Sequence, residues 1–410
     1  MKFDVLVLGG GIVGVSTGIH LQQRGLATAL IDRRSPGCET SFGNAGLIQR
    51  EGVFPYPFPR DFRTLFRYAR NRSPDVRYHL SALPAIATFL ARYWYYSAPE
   101  RHANIARHYS KLIEHSVTEH RTLIEHAGAE ALLREGGWLK VFRSSAGLDA
   151  GYRDADRRKK EYGVPFELLN AERLRAEEPS LTRALVGAIR YTASNSLSDP
   201  GRLVAQYARY FETIGGRVIR GDATTLAPQW QIHTQEGRVS AEHVVIAMGP
   251  WADTILGPLG YRLPLAVKRG YHKHFLPQAG AKLNQPVLDA ENGFLMAPMN
   301  RGIRLTSGVE LALRDAPSTP VQLAAVEPVA RDTFPLGEAI EQEAWMGCRP
   351  CTPDMLPIIG PAPKHRDLWF AFGHAHHGLT LGPITGRLIA EMITGERTLI
   401  DPTPFRADRF

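Results

Sequence analysis

Cysteine is scarce: Cys38, Cys348 and Cys351 are the only three in 410 residues. So few exclude a disulfide framework and point to a reducing compartment. Cys348-Arg-Pro-Cys351 has the spacing of a redox pair or half a zinc site, but no second pair stands in the sequence, so the spacing is read as chance and no metal is expected. No apolar run approaches the ~20 residues needed to span a bilayer. No secretory leader is expected, because Asp4 and the glycines after it interrupt the apolar start. Internal repeats and low-complexity tracts are missing, so a repeat array is not expected. Acidic groups are in deficit: 41 Asp and Glu against 49 Lys and Arg leave a net charge of +8. That balance favours anionic partners such as a nucleotide, a carboxylate or acidic lipid. No nucleic-acid motif accompanies it, and no nucleic acid is expected.

The first 32 residues carry the strongest positive signal. An apolar strand, Phe3 to Leu8, runs into Gly9-Gly10-Gly11-Ile12-Val13-Gly14, then a helical stretch to about Arg24, then a second strand, Ala27 to Ile31, ending in Asp32. This is a dinucleotide-binding β-α-β unit in the right order. Gly9 makes the tight turn, Gly11 lets a pyrophosphate approach bare backbone, and Gly14 lets helix and strand pack closely. The helix N-terminus favours the phosphates' negative charge. Asp32 stands 23 residues after Gly9, where a carboxylate accepts from ribose hydroxyls.

Length and 44% hydrophobic content suit two domains with substantial cores. Between Phe54 and Pro99 the composition changes. Arg60, Arg63, Arg67 and Arg70 fall on one side of a helix, with Phe62, Leu65, Phe66 and Ala69 on the other. Ser81 to Ala98 is apolar and aromatic, with Arg92 its only charge. Two readings stand together: a peripheral membrane patch, or a core-facing helix with a solvated Arg side followed by a buried helix. Arg101 to His126 reads as one long helix whose histidines are solvated or capping. Further on come a helix over Arg202 to Ile214, a strand at Arg217 to Arg220, and a buried strand at Val244 to Ile246. Short strands and turns alternate from Leu263 to Gly308. A strand at Leu368 to Phe372 and a helix at Leu381 to Ile393 close the pattern.

Two later blocks offer chemistry. Gly347-Cys348-Arg349-Pro350-Cys351-Thr352-Pro353-Asp354 contains Arg349, a fixed planar cation suited to a bidentate grip on a carboxylate. Gly373-His374-Ala375-His376-His377-Gly378-Leu379-Thr380 runs into the last helix and points backbone N–H groups at whatever lies above it.

Together with Glu39-Thr40-Ser41-Phe42-Gly43-Asn44-Ala45-Gly46, these blocks resemble, nearly end to end, the flavin-dependent D-amino-acid dehydrogenase family, a branch of the D-amino-acid oxidase and glycine oxidase superfamily. The resemblance implies an α/β fold: a discontinuous Rossmann-like FAD-binding domain (1–80, 145–260 and 345–410) with an inserted antiparallel-sheet substrate domain (81–144 and 261–344). It implies FAD with its ADP half on Gly9, Gly11, Ile12, Val13, Gly14, Asp32 and Arg33. Ala223, Gly249 and Trp251 would touch adenine and pyrophosphate. Thr40, Ser41, Asn44, Ala45, Gly46 and Leu47 would line the ribityl and ring, and Gly378, Leu379 and Thr380 the pyrimidine edge. Arg349 would hold the substrate carboxylate. Tyr271, His374 and His377, with His272 and His376 beside them, are candidates to assist at the reacting centre.

The implied reaction is oxidative deamination of a D-amino acid, with D-proline or hydroxy-D-proline as cyclic candidates. Relatives that attach flavin covalently use a cysteine one position from Cys348, so non-covalent FAD is expected. The lysine that oxidases place near Thr380 is missing, which favours a quinone or redox-protein acceptor. A glycine- or sarcosine-type oxidase using O2, or a non-catalytic flavin-binding subunit, are the alternatives. The expected location is the cytoplasm, peripheral on the inner face of the cell membrane where the Arg-rich patch engages lipid.

Overall fold

The computed structural model describes residues 1–182 and 184–410. The first strand, Lys2–Leu8, lies at the centre of a seven-stranded sheet. Thr28–Asp32 and then Arg217–Arg220 flank it on one side; Gly237–Ile246, Leu368–Phe372 and Ile358–Pro361 follow on the other. The inner pairings are parallel, and Val5 to Leu8 are wholly buried, as strands covered on both faces must be. The helix Ile12–Gln22 is apolar nearly all round and buries ten residues. It is sandwiched because glycines let its neighbours approach. A Cβ at Gly386 of the last helix would come 2.6 Å from the backbone of Ser16, and one at Gly18 would meet the Phe211 ring at 3.1 Å. Phe211 sits on Pro200–Thr213, a helix started by Asp199, whose carboxylate accepts from Arg202 N–H.

The second sheet has eleven strands around the long strand Ala266–Pro277. Trp345–Cys351 pairs with it antiparallel, setting Lys268 opposite Arg349, Gly270 opposite Gly347 and His272 opposite Trp345. Glu167–Asn170, Gly187–Arg190 and Trp345–Cys351 all hydrogen-bond into this second sheet. The segments 145–260 and 345–410, expected in the nucleotide domain, therefore contribute strands to both sheets. The last helix begins at Gly378 rather than Leu381 and accommodates Pro383 in its first turns.

The Arg-rich helix Phe62–Ala69 buries no residue; Phe62 is 81% and Phe66 56% exposed. The core-facing reading of that helix is thus overturned, because Phe62, Phe66 and Ala69 on its apolar side are exposed. The next helix, Leu83–Tyr96, is half-packed: Ile86, Phe89 and Tyr93 are buried while Trp94 and Tyr95 face out. No helix among the described residues is long and apolar enough to cross a membrane.

Candidate active site

The phosphate turn follows from its glycines. Gly9 has φ +115°, a conformation that side chains disfavour, and a Cβ at Gly14 would overlap the Gly9 carbonyl. Asp32 is fixed by two backbone donors: Gly10 N–H to one oxygen at 2.6 Å and Arg34 N–H to the other at 2.8 Å. Each oxygen keeps a lone pair for a ribose hydroxyl. Ser41 Oγ accepts from Ile12 N–H at 3.1 Å and ties the next loop to the helix start.

That loop, residues 40–47, is held by three sets of hydrogen bonds, one of them internal. Thr40 Oγ1 donates to Cys348 O at 3.1 Å, and Asn44 Oδ1 accepts from Gly46 N–H at 2.9 Å. The third tie is Arg304, which sequence reasoning missed. Its guanidinium donates to the carbonyls of Phe42 and Asn44, and its Nε donates to His274 Nε2 at 3.0 Å. His274 must then carry its proton on Nδ1, which donates to Glu341 at 2.7 Å. Burial pulls Arg304 down to about 10. The signal was present in the alternation Gly302-Ile303-Arg304-Leu305-Thr306, which puts a cation at an inward strand position.

One elongated cleft runs from this turn to Arg349. Gly9, Gly11, Ile12, Val13, Asp32, Arg33, Thr40, Ser41, Asn44, Ala45, Leu47, Ala223, Gly249, Trp251, Gly378 and Leu379 line it as expected. Gly14, Gly46 and Thr380 support it from behind. Thr380 Oγ1 donates to Leu47 O and accepts from Gln49 N–H, both at 3.2 Å, which joins the last helix to the strand Leu47–Ile48.

At the far end Arg349 lies across Gly270. A Cβ there would stand 2.7 Å from the Arg349 Cζ and Nη1. Among the described residues, no carboxylate lies within ion-pair distance of Arg349; its one protein acceptor is Arg269 O at 3.4 Å. Burial lowers its pKa; Cys351, Tyr56 and Cys348 offset part of that cost, and no carboxylate is among the groups that do. A cation held in this way is ready for an external carboxylate.

Three expected catalytic side chains are otherwise engaged. Tyr271 is one strand position out of phase with Gly270 and His272. Its hydroxyl donates to Glu310 at 2.6 Å and accepts from Arg269 at 2.6 Å and Thr319 N–H at 3.0 Å, in a buried cluster. His374 pairs with Thr385 Oγ1 at 2.9 Å, and His377 with Tyr109 Oη at 2.6 Å. Burial pushes both histidines down to about 3, which favours their neutral forms. Beside His374, which borders the cleft, His376 reaches it as well. It lies 4.7 Å from the Tyr56 ring, its Nε2 has no protein partner, and burial holds its pKa well below the usual histidine range. His272 also lines the cleft, stacked on Trp345 at 4.9 Å and pushed by burial to about 2.

These features fit FAD on the structure's own terms. A Cβ-intolerant turn and an acid at the strand end stand at one extreme. A pinned polar loop lies midway, and the start of the last helix at Gly378 and the Arg349 guanidinium both line the cleft beyond it. The comparisons with known proteins agree. Residues 4–392 match the model of the DAO family, described as FAD dependent oxidoreductase. A D-amino-acid oxidase of Bradyrhizobium diazoefficiens is 30% identical over 99% of this chain and 98% of its own. A D-amino acid dehydrogenase of Chromohalobacter salexigens is 28% identical over 99% of both. Among solved structures, glycine oxidase from Geobacillus kaustophilus superposes with a TM-score of 0.74 at 22% identity, covering 100% of this chain and 99% of its own. L-proline dehydrogenase from P. horikoshii gives 0.74 at 19%, covering 100% and 98%. With fold, cleft and relatives in agreement, this chain belongs to the DAO family of FAD-dependent oxidoreductases.

Proposed function

We propose that this protein is a D-amino-acid dehydrogenase that removes a hydride from Cα and delivers the electrons to a quinone or redox protein. The observation that carries the reading is Arg349: a cation without a protein carboxylate at the end of the cleft remote from the phosphate turn. FAD, when bound in the cleft, would supply the hydride acceptor. Arg349 grips the substrate carboxylate and fixes the direction of the Cα–H bond. His376, held neutral with a free Nε2, offers the amine a hydrogen-bonding contact. No side chain is required as base when the amine arrives unprotonated. The amine nitrogen gives up its proton to solvent as the imine forms. An open-chain imine hydrolyses to a 2-oxo acid and ammonia, while D-proline or hydroxy-D-proline would yield a pyrroline carboxylate.

The FAD is proposed to be non-covalent. Cys348 is buried, burial raises its thiol, and its Sγ faces Arg314 O at 3.9 Å. Acid precipitation should release all the yellow colour. The exposed Phe62, Phe66, Leu80, Trp94 and Tyr95, set among Arg60, Arg63, Arg67 and Arg70, support a peripheral seat on an anionic membrane from which a quinone is reached. Flotation with anionic liposomes at low salt tests this, and absence of binding removes it.

The deciding experiment is anaerobic mixing of the yellow protein with matched D- and L-amino acids, D-proline included. Bleaching by D-enantiomers, with dye-dependent turnover and little hydrogen peroxide in air, is expected. Rapid peroxide release would instead assign the glycine-oxidase type of chemistry. A colour that no amino acid bleaches would leave a flavin-binding subunit.

A further inference from the structure

The strand register sets a second cation beside Arg349. Lys268 and Arg349 are direct partners across the antiparallel pair, and such partners share a face with Cβ atoms about 5 Å apart. That face also carries Gly270 and His272, which line the cleft. Lys268 is only 9% exposed, and among the described residues no carboxylate lies within ion-pair distance. Its ammonium rests 3.9 Å over the Tyr93 ring and 3.7 Å from Met355 Sδ. Lysine is almost never this buried without an anion, because desolvating a charge costs more than a ring and a sulfur return.

The nearby acids are already committed. Asp354 is paired with Arg409 at 2.8 Å, and Glu310 with Arg269 at 2.7 Å. Cys351, next to both cations, is kept a neutral thiol by burial. His376, also within the field of both, is kept neutral as well. Arg349 lines the head of the cleft, and Lys268 stands beside it on the same strand face; among the described residues neither is paired with a carboxylate.

We propose that the substrate is an amino acid carrying a second carboxylate, with one carboxylate on Arg349 and the other on Lys268. This deepens the proposed amino-acid oxidation and rests on it for the identity of the reacting group. A neutral side chain would leave the buried ammonium without an anion, so the site would discriminate against it.

The test uses the FAD-loaded protein and unreactive ligands, read by perturbation of the flavin spectrum: malonate, succinate and glutarate against acetate, propionate and butyrate. The best dicarboxylate should bind at least ~30-fold more tightly than the monocarboxylates, consistent with one added charge-assisted contact. Lys268→Met keeps the side chain's bulk without its charge and should bring that ratio close to one. In turnover, D-aspartate or D-glutamate should exceed D-alanine in kcat/KM by ~10²-fold. A wild-type ratio near one overturns the proposal, as does a high ratio that Lys268→Met leaves unchanged. If Lys268→Met fails to retain FAD, the wild-type ratio still decides. Bleaching by neutral D-amino acids with a ratio near one would sink the second-carboxylate site alone. A high ratio without bleaching by any amino acid would sink the oxidation reading and leave that site standing.

Discussion

Gly270→Ala places one methyl group under the guanidinium that the proposed mechanism depends on. Gly270 has no left-handed backbone angle, so alanine fits the strand conformation. The new Cβ would stand 2.7 Å from Arg349 Cζ and Nη1, against roughly 3.5 Å for an ordinary contact. Arg349 must therefore move by about 1 Å. A displacement of that size in a positioning group costs ~10²-fold in rate, or about 2.7 kcal/mol of transition-state stabilisation. The fold should not suffer, since alanine in place of glycine stiffens the unfolded chain and is worth about 0.4–1 kcal/mol where the backbone permits. Anaerobic stopped-flow bleaching gives the rate; thermal melting and the retained yellow colour report on the fold. The double variant Gly270→Ala/Arg349→Ala should be no slower than Arg349→Ala alone, because both act through one guanidinium. Unchanged bleaching in Gly270→Ala, or full additivity in the double variant, would refute the positioning argument.

Other consequences can be checked separately. Arg349→Ala should raise the apparent KM by ~10²-fold or more in steady-state assays, as loss of a bidentate charged contact requires. Gly14→Ala should yield colourless protein, because its Cβ and the Gly9 carbonyl would occupy the same space. Arg304→Met removes the donor from two loop carbonyls and should weaken FAD retention by about tenfold, measured by dialysis against apoprotein. Acid should destabilise the protein before its carboxylates titrate. Burial depresses His20, His374 and His377 to about 3, His120 to about 4 and His272 to about 2. They stay neutral when folded and bind protons when unfolded, so stability falls as pH drops below 6.5. Each contributes up to about 1.4 kcal/mol per pH unit down to its folded pKa. Melting temperature should fall steadily from pH 6.5 to 5; a flat profile contradicts the neutral-histidine assignment.

The parts of the site legible in the sequence are those whose geometry is local. Gly9 to Gly14 and Asp32 sit within one β-α-β unit, where spacing alone fixes the turn, and the structure places them on the cleft or directly behind it. Arg349 was singled out by its planar charge and by the family resemblance, and the structure puts it on the cleft across Gly270. Tyr271 borders the cleft with Gly270 and His272, but its hydroxyl bonds to Glu310, Arg269 and Thr319, partners that the sequence around its strand does not reveal. The partners of His374 and His377 were not legible, because ring contacts depend on residues distant in sequence. Tyr109 lies 268 residues from His377 in sequence. Arg304 is the same case, since its carbonyl partner on Asn44 is 260 residues away. The domain boundaries blurred for a related reason: Glu167–Asn170 and Gly187–Arg190 look like any short strands, and only long-range pairing decides which sheet they join.

A crystal structure of the FAD-loaded protein with a bound carboxylate inhibitor tests the central claim most directly. The account places the pyrophosphate on the Gly9–Gly14 turn, the ring between the 40–47 loop and Gly378, and the carboxylate in a two-pronged contact with Arg349. A ring lying elsewhere, or a carboxylate that ignores Arg349, would contradict it.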